Sequence, residues 1–191
     1  MTAKRPPARK RLLETADQLF YAEGVHIVGI DRIIEEAGVA KGSLFYNFSG
    51  KDDLVAAYLA ARDESHRSRI ARHVQGCESA TEKLLAIFEA LQEVVGSPYY
   101  NGCPFANANA EAAPDGVEEQ ALRTYRGWLG GMFHELAAEA GFADPAAVAD
   151  RLCLLYDGAI ATSQLDKRPD AVRIAKELAA TVLDASPRDA S

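Results

Sequence analysis

The side chains best suited to chemistry with a charged polymer lie close together near the start of the chain. Between Lys41 and Lys51 the sequence sets hydroxyl and amide side chains beside an aromatic pair, Phe45 and Tyr46. Lysine pairs with phosphate, and hydroxyl or amide groups can read base edges. On a short helix, the outward positions of this stretch would be Lys41, Gly42, Ser43, Phe45, Tyr46 and Asn47. Such a rod has the size that the major groove of DNA admits.

Charge is distributed unevenly along the chain. The formal net charge is -7, which taken alone argues against a nucleic-acid partner. Residues 1–51, however, hold eight basic and six acidic residues, a charge of +2, so the remainder carries -9. This asymmetry indicates that the first segment faces an anionic polymer. Double-stranded DNA is the partner we expect there.

Hydrophobic periodicity is helical almost throughout, so the predicted fold class is all-α, with about nine helices. In the first part, the spacing predicts helices over 8–23, 30–37 and 41–47, with Gly38 in the turn before the third. A fourth, long helix is predicted over 51–73. Three short helices around a glycine turn follow the helix-turn-helix plan. We therefore expect a DNA-binding domain over 1–52.

The remaining residues, 53–191, are predicted to form one helical body. Apolar stripes and the glycines and prolines between them predict helices over 80–95, after Pro104, over 115–140, and after Pro145 and Pro169. No run is apolar enough to cross a membrane, and no secretory leader is evident, so a cytoplasmic protein is expected. Three cysteines without CxxC spacing indicate reduced thiols.

The run GVHIVGIDRIIEEAGVAKGSLFYNFSGKDDL, from Gly24 to Leu54, resembles the DNA-binding head of the TetR (tetracycline repressor-like) family. The resemblance implies that Ser43 and the aromatic pair after Leu44 approach DNA. It also implies that Lys51, at the start of the fourth helix, touches phosphate, where the helix dipole would help. Arg9, with Lys4 and Arg5 in an arm, would add further contacts.

Two positions depart from the family pattern. Phe45 stands where tyrosine is usual, so a hydroxyl contact to phosphate would be missing, although Tyr46 carries a hydroxyl one position later. Ala40 replaces the usual serine or threonine, which removes a helix cap typically worth ~1 kcal/mol. The alternative for this stretch is that its aromatics belong to a core and its lysines to a solvated face.

For the body, the resemblance implies a small-molecule sensor. Aromatic residues concentrate between Phe88 and Tyr156, with few polar residues among them, as in an apolar site for a small hydrophobic effector. The predicted ligand-binding residues are Phe88, Phe105, Asn109, Tyr125 and Trp128. Core packing is the alternative for each of them. A redox role for Cys103, before Pro104, is a further alternative.

The last two helices are predicted to form the seam of a homodimer, because their apolar stripes are broad and small residues let helices approach. The predicted interface residues are Leu152, Leu155, Ala159, Ile160, Val172, Ala175, Leu178, Ala179 and Val182. Two heads would then read a roughly palindromic operator.

The predicted function is a ligand-responsive transcriptional regulator, most simply a repressor that its effector releases from DNA. The fourth helix would be the lever, because it belongs to both regions. No catalytic motif and no metal-ligand spacing is present, so we expect neither an enzyme nor a metal or other cofactor. The alternatives are an all-α enzyme or small-molecule carrier without DNA binding, and a constitutive or activating DNA-binding protein.

Overall fold

Within residues 6–110 and 112–189, which the structure describes, the computed structural model contains nine α-helices and no β-strand, so the all-α prediction is confirmed. The helices are α1 (Ala8–Glu23), α2 (Ile30–Ala37), α3 (Lys41–Asn47), α4 (Lys51–Val74), α5 (Ala80–Val95), α6 (Pro104–Asn109), α7 (Val117–Glu139), α8 (Pro145–Leu165) and α9 (Ala171–Ala185). The start of α7 differs from the prediction. Asp115 has a φ of 59°, a left-handed conformation outside the helical range, so the helix begins only at Val117.

The chain folds as two compact units. The head unit ends at Glu64 and also takes in Cys103–Arg123, and the body unit takes in Ser65–Gly102 and the chain from Thr124 onward. The head unit is larger than residues 1–52 because α6 packs on α1, and because the first half of α4 belongs to it. The boundary between the units falls inside α4, between Glu64 and Ser65.

The core of the head unit forms around α1. Leu12, Ala16, Leu19 and Phe20 recur at helical spacing and are all buried, so α1 presents one apolar face to α2 and α3. The neighbouring helices contribute Ile33, Ile34, Leu44 and the residue after α3, Phe48, to the same core.

A half-buried ion pair joins the first half of α4 to α1. The Arg62 guanidinium donates to both carboxylate oxygens of Asp17, at 2.6 and 3.0 Å. It also lies 4.1 Å from the centroid of the Tyr21 ring, a cation–π distance. A bidentate, stacked arginine orients the two helices more strictly than apolar packing alone would.

In the body unit, α8 packs along α9, and both pack on α5. The start of α5 is a capping box, in which Ser79 Oγ accepts from the Glu82 amide and the Glu82 carboxylate accepts from the Ser79 amide. After α9, the chain returns to the α7–α8 turn. There an isolated antiparallel bridge pairs Phe142 with Arg188, and the Arg188 guanidinium lies 4.2 Å from the Phe142 ring centroid.

Candidate nucleic-acid interface

Helix α3 exposes the side chains that the sequence places outward. Tyr46 is 90% exposed and Phe45 is 52% exposed, which is uncommon for large aromatic residues unless a partner covers them. Leu44 and Phe48, in contrast, are buried and anchor the helix from below. A Cβ built on Gly42 would meet nothing within 4 Å, so the surface is open there. One face of α3 is therefore anchored in the core of the head unit, and the opposite face is free to contact a partner.

The turn before α3 depends on a glycine and on an arginine from α1. Gly38 has a φ of 61°, the left-handed conformation that glycine adopts without steric cost. Arg11 Nη1 donates to the carbonyls of Ala37 and Gly38, at 2.7 and 2.8 Å, where α2 would otherwise leave carbonyls without partners. As predicted, Ala40 gives α3 no side-chain cap. Thus Arg11 positions the turn and is not available for a phosphate.

The predicted cations of the interface each contact the protein itself. Lys41 Nζ lies 3.0 Å from the Asp31 carboxylate, and both side chains are largely exposed. Lys51 Nζ donates to the His26 carbonyl at 3.4 Å. The Arg9 guanidinium lies 5.1 Å from the Phe48 ring centroid. All three are surface contacts that a phosphate could replace at small cost.

The remaining positions of the predicted set also lie on or beside α3. Ser43 is half-buried, and its carbonyl accepts a hydrogen bond from Asn47 Nδ2 at 2.7 Å. The Asn47 side chain thus folds back on its own helix. Lys4 and Arg5, the predicted arm, lie outside the described residues.

One basic residue of the head is neutralised within the protein. Arg32 donates to both carboxylate oxygens of Glu23, at 2.5 and 2.8 Å, and to Glu36 at 2.8 Å. These hydrogen bonds raise the pKa of Arg32 and lower the pKa of Glu23. A guanidinium held by two carboxylates has little charge left for a phosphate, so Arg32 is not available to contact DNA.

Of the five predicted ligand-binding residues, Phe88, Tyr125 and Trp128 lie in the body unit, and Phe105 and Asn109 lie in the head unit. Tyr125 and Trp128 neighbour each other, with ring centroids 6.4 Å apart. Both lie beside His66, at 5.2 and 6.0 Å between ring centroids. Phe88 packs edge-on against Tyr156 at 5.8 Å.

Two polar groups that were not among the predicted ligand-binding residues meet beside these rings. His66 Nε2 and the Tyr156 hydroxyl are 2.9 Å apart, although 90 residues separate them in sequence. Burial, together with the positive charges of Arg69 and Arg67, lowers the pKa of His66 to about 3. The imidazole is therefore neutral at physiological pH. We define the aromatic cluster as His66, Phe88, Tyr125, Trp128, Phe133 and Tyr156.

Comparison with known proteins decides the family. Residues 12–58 match the model of the bacterial regulatory proteins of the tetR family, and residues 80–179 match the tetracyclin repressor-like C-terminal domain. Together these matches span both the exposed α3 and most of the body. The chain belongs to the TetR family.

Solved structures of TetR-family proteins share the whole fold. A TetR-family transcriptional regulator from Streptomyces coelicolor superposes with a TM-score of 0.88 and 37% identity, covering 93% of this chain and 95% of that one. A putative TetR-type regulator from Streptomyces avermitilis gives a TM-score of 0.85 at 28% identity, covering 96% and 100%. The HTH-type regulator LmrA of Bacillus subtilis is 28% identical over 129 residues, 63% of this chain and 66% of LmrA.

As a TetR-family member, the protein is a helix-turn-helix DNA-binding transcriptional regulator and not an enzyme. Across residues 6–110 and 112–189, no cluster of three or more histidine, cysteine or acidic residues has the geometry to hold a metal ion. In the same part of the chain, no helix combines the length and the apolarity needed to cross a bilayer.

Sequence reasoning missed several residues of the TetR-type head and body. Arg11 was counted only as a basic residue, and nothing local marks its bonds to carbonyls 26 and 27 residues away. The spacing of His66 was a usable signal, because it stands four residues before the apolar Ile70 and so shares a helix face with it. Both residues are buried in the structure. A histidine on a buried helix face requires a polar partner, which here is Tyr156.

Proposed function

We propose that the protein is a homodimeric, ligand-responsive repressor that binds a palindromic operator and is released from it by a small, largely apolar effector. The exposed face of α3 would contact the DNA. Because its partner is DNA, the protein would act in the cytoplasm. The observation that carries the dimer is an apolar surface on α8 and α9.

That surface, the leucine face, consists of Leu154, Gly158, Ala161 and Leu165 on α8 and Leu178 on α9. Leu154 is 74% exposed, Leu165 is 76% exposed and Leu178 is 50% exposed. The four α8 positions follow the spacing i, i+4, i+7 and i+11, so they form one stripe. Small residues within the stripe allow a second helix to approach closely. Contiguous exposed leucines of this kind favour burial against a second copy.

Five of the nine residues predicted for the seam are buried within the protomer. Leu152, Val172 and Ala179 are buried inside the protomer, at 0%, 1% and 0% exposure, so they form its core and do not lie on its surface. Ala159 and Ala175 are also buried, and they line a groove of about 270 Å³ between α8 and α9. Leu178 is exposed, and Leu155, Ile160 and Val182 are half-buried.

A charge placed in the leucine face tests the dimer. We expect Leu154→Glu and Leu178→Glu to convert the dimer into monomers in sedimentation velocity, because each buries a carboxylate at the twofold contact. The matched control is Arg173→Gln, which changes the net charge equally on α9 and should leave the dimer intact. If both glutamate variants stay dimeric, the interface lies elsewhere.

Selection of bound duplexes from a random pool tests the operator. A dimer should enrich sites with twofold symmetry, with half-sites about one helical turn apart. The selected site, placed inside a reporter promoter, should then lower transcription when the protein is present. Raised transcription would instead favour an activator.

Effector release would operate through α4. This helix begins in the head unit, where Lys51 stands at its first residue, and continues into the body unit, where His66 belongs to the aromatic cluster. A ligand can shift the DNA-binding equilibrium only by binding one state more tightly, commonly by ~1–3 kcal/mol. Ligands that raise the melting temperature of the free protein should therefore be tested for release of the selected duplex.

A further inference from the structure

One buried side-chain nitrogen in the body unit has no hydrogen-bond partner among the described residues. Arg69 lies on α4, and its Nε is buried and makes no hydrogen bond to any described residue. Burial lowers the pKa of Arg69, because desolvation disfavours the cation. Buried polar atoms in native proteins are nearly always hydrogen-bonded, so an orphaned guanidinium nitrogen requires an explanation.

The position of Arg69 on the helix directs it to the aromatic cluster. It stands three residues after His66 and one before Ile70, both of which are buried. Helical side chains lean toward the N-terminus of their helix, which brings the guanidinium toward the level of His66. Tyr125 and Tyr156 both lie within electrostatic range of Arg69.

Positive charge lies near the cluster, and Glu93, the carboxylate that acts on Arg69, is shared with two other residues. Glu93 is held by Arg72 at 3.1 Å and by His73 at 2.9 Å. A second arginine, Arg67, lies 4.2 Å from the Trp128 ring centroid. The His66 imidazole is neutral, so it supplies no negative charge either. Two guanidinium groups thus lie near the cluster, and the buried Nε of Arg69 is open to a hydrogen-bond acceptor.

We propose that Arg69 is the anchor for the negative group of the effector, and that the effector is a small aromatic carboxylate whose ring lies against Tyr125 and Trp128. This inference rests on the proposed function and names the chemical class of its ligand. A carboxylate is the natural counterpart of a guanidinium, because two parallel N–H donors match its two oxygens. The neighbouring rings supply an apolar wall for a planar ligand.

The test compares aromatic carboxylates with neutral isosteres on the full-length protein. Benzoate, salicylate, phenylacetate and indole-3-acetate are each paired with the corresponding amide and titrated by calorimetry and thermal shift. For the best-fitting ring, the carboxylate should bind about tenfold or more tightly than its amide, as expected for a charge-assisted hydrogen bond.

Variants assign the preference to Arg69. Arg69→Gln should abolish the advantage of the carboxylate over the amide, and Arg69→Lys should retain part of it, since the charge remains while the planar fork is lost. The matched control is Arg72→Gln, which removes an equal charge three residues away and should leave the advantage intact. Without ligand, Arg69→Gln should melt no lower than the wild-type protein, because it removes a buried Nε that has no hydrogen-bond partner among the described residues.

The proposal is overturned if no carboxylate of the panel binds at about 10 mM, or if amides bind as well as acids. It is also overturned if Arg72→Gln abolishes the preference, or if Arg69→Gln is strongly destabilised without ligand, which would give Arg69 a structural role. Failure of the proposed function would give a different experimental result. Carboxylates that bind through Arg69 and leave the protein on its selected duplex would refute effector release and preserve the site.

Discussion

The buried pair of His66 and Tyr156 makes a prediction about acid stability. In the folded protein, burial holds the pKa of His66 near 3, whereas the ordinary value is 6.5. Below pH 6.5 the unfolded chain takes up a proton on this residue that the folded chain does not. Lowering the pH therefore favours unfolding, by about 1.4 kcal/mol for each pH unit between the two pKa values. Above pH 6.5 the residue is neutral in both states and has no such effect.

The size of the effect follows from the two pKa values. Between pH 7.5 and pH 5.0, His66 should lower the free energy of unfolding by about 2 kcal/mol per protomer. The comparison variant is His66→Gln, whose amide can still hydrogen-bond to the Tyr156 hydroxyl and does not titrate. The variant should lose stability at pH 7.5 through poorer packing. On going to pH 5.0, however, it should lose about 2 kcal/mol less than the wild-type protein.

Urea unfolding at pH 7.5, 6.0 and 5.0, at one protein concentration, measures this difference. The other histidines and all carboxylates are common to both proteins, so their titration cancels in the comparison. Parallel dependence of the two proteins on pH would refute the reasoning. It would mean that His66 is protonated in the folded state or is solvated there.

Three further substitutions test the head and the body. Phe45→Tyr should tighten binding to the selected duplex roughly fivefold, the effect of about 1 kcal/mol for one added hydrogen bond, and unchanged affinity in fluorescence anisotropy would exclude a phosphate near this ring. Gly38→Ala should lower the free energy of unfolding by about 1–2 kcal/mol, because alanine disfavours a φ of 61°, and an unchanged urea midpoint would contradict the turn geometry. Arg188→Ala removes the cation over the Phe142 ring and a hydrogen bond to the Ala140 carbonyl. It should lower the free energy of unfolding in urea by about 1 kcal/mol. An unchanged free energy of unfolding would mean that the contacts of Arg188 do not stabilise the fold.

Most helix boundaries were predictable because the signals that set them are local, whereas the start of α7 was not. Gly24 and Gly38 end α1 and α2, and α5 starts at the capping box that its own sequence encodes. The outward side of α3 was predictable for the same reason. Leu44 and Phe48 are four residues apart, so they share the buried face and leave Phe45 and Tyr46 outside.

Partners distant in sequence were not predictable. Arg32 was counted as a free basic residue until the fold placed Glu23 and Glu36 around it. Similarly, the periodicity of α8 showed a broad apolar stripe without showing which part of it the protomer buries. Leu152 faces the core and Leu154 faces outward, and only the packing of α5 and α9 against α8 separates the two.

The sequence by itself determined the helices, the turn at Gly38 and the outward face of α3, because side-chain spacing and backbone preference act within a few residues. The tertiary structure alone decided which charges are neutralised, which leucines stay on the surface, and that His66 meets Tyr156 while Arg69 Nε finds no partner among residues 6–110 and 112–189. Those outcomes depend on residues brought together from far along the chain, and the cost of burying a charge or a polar atom is set by what surrounds it in space.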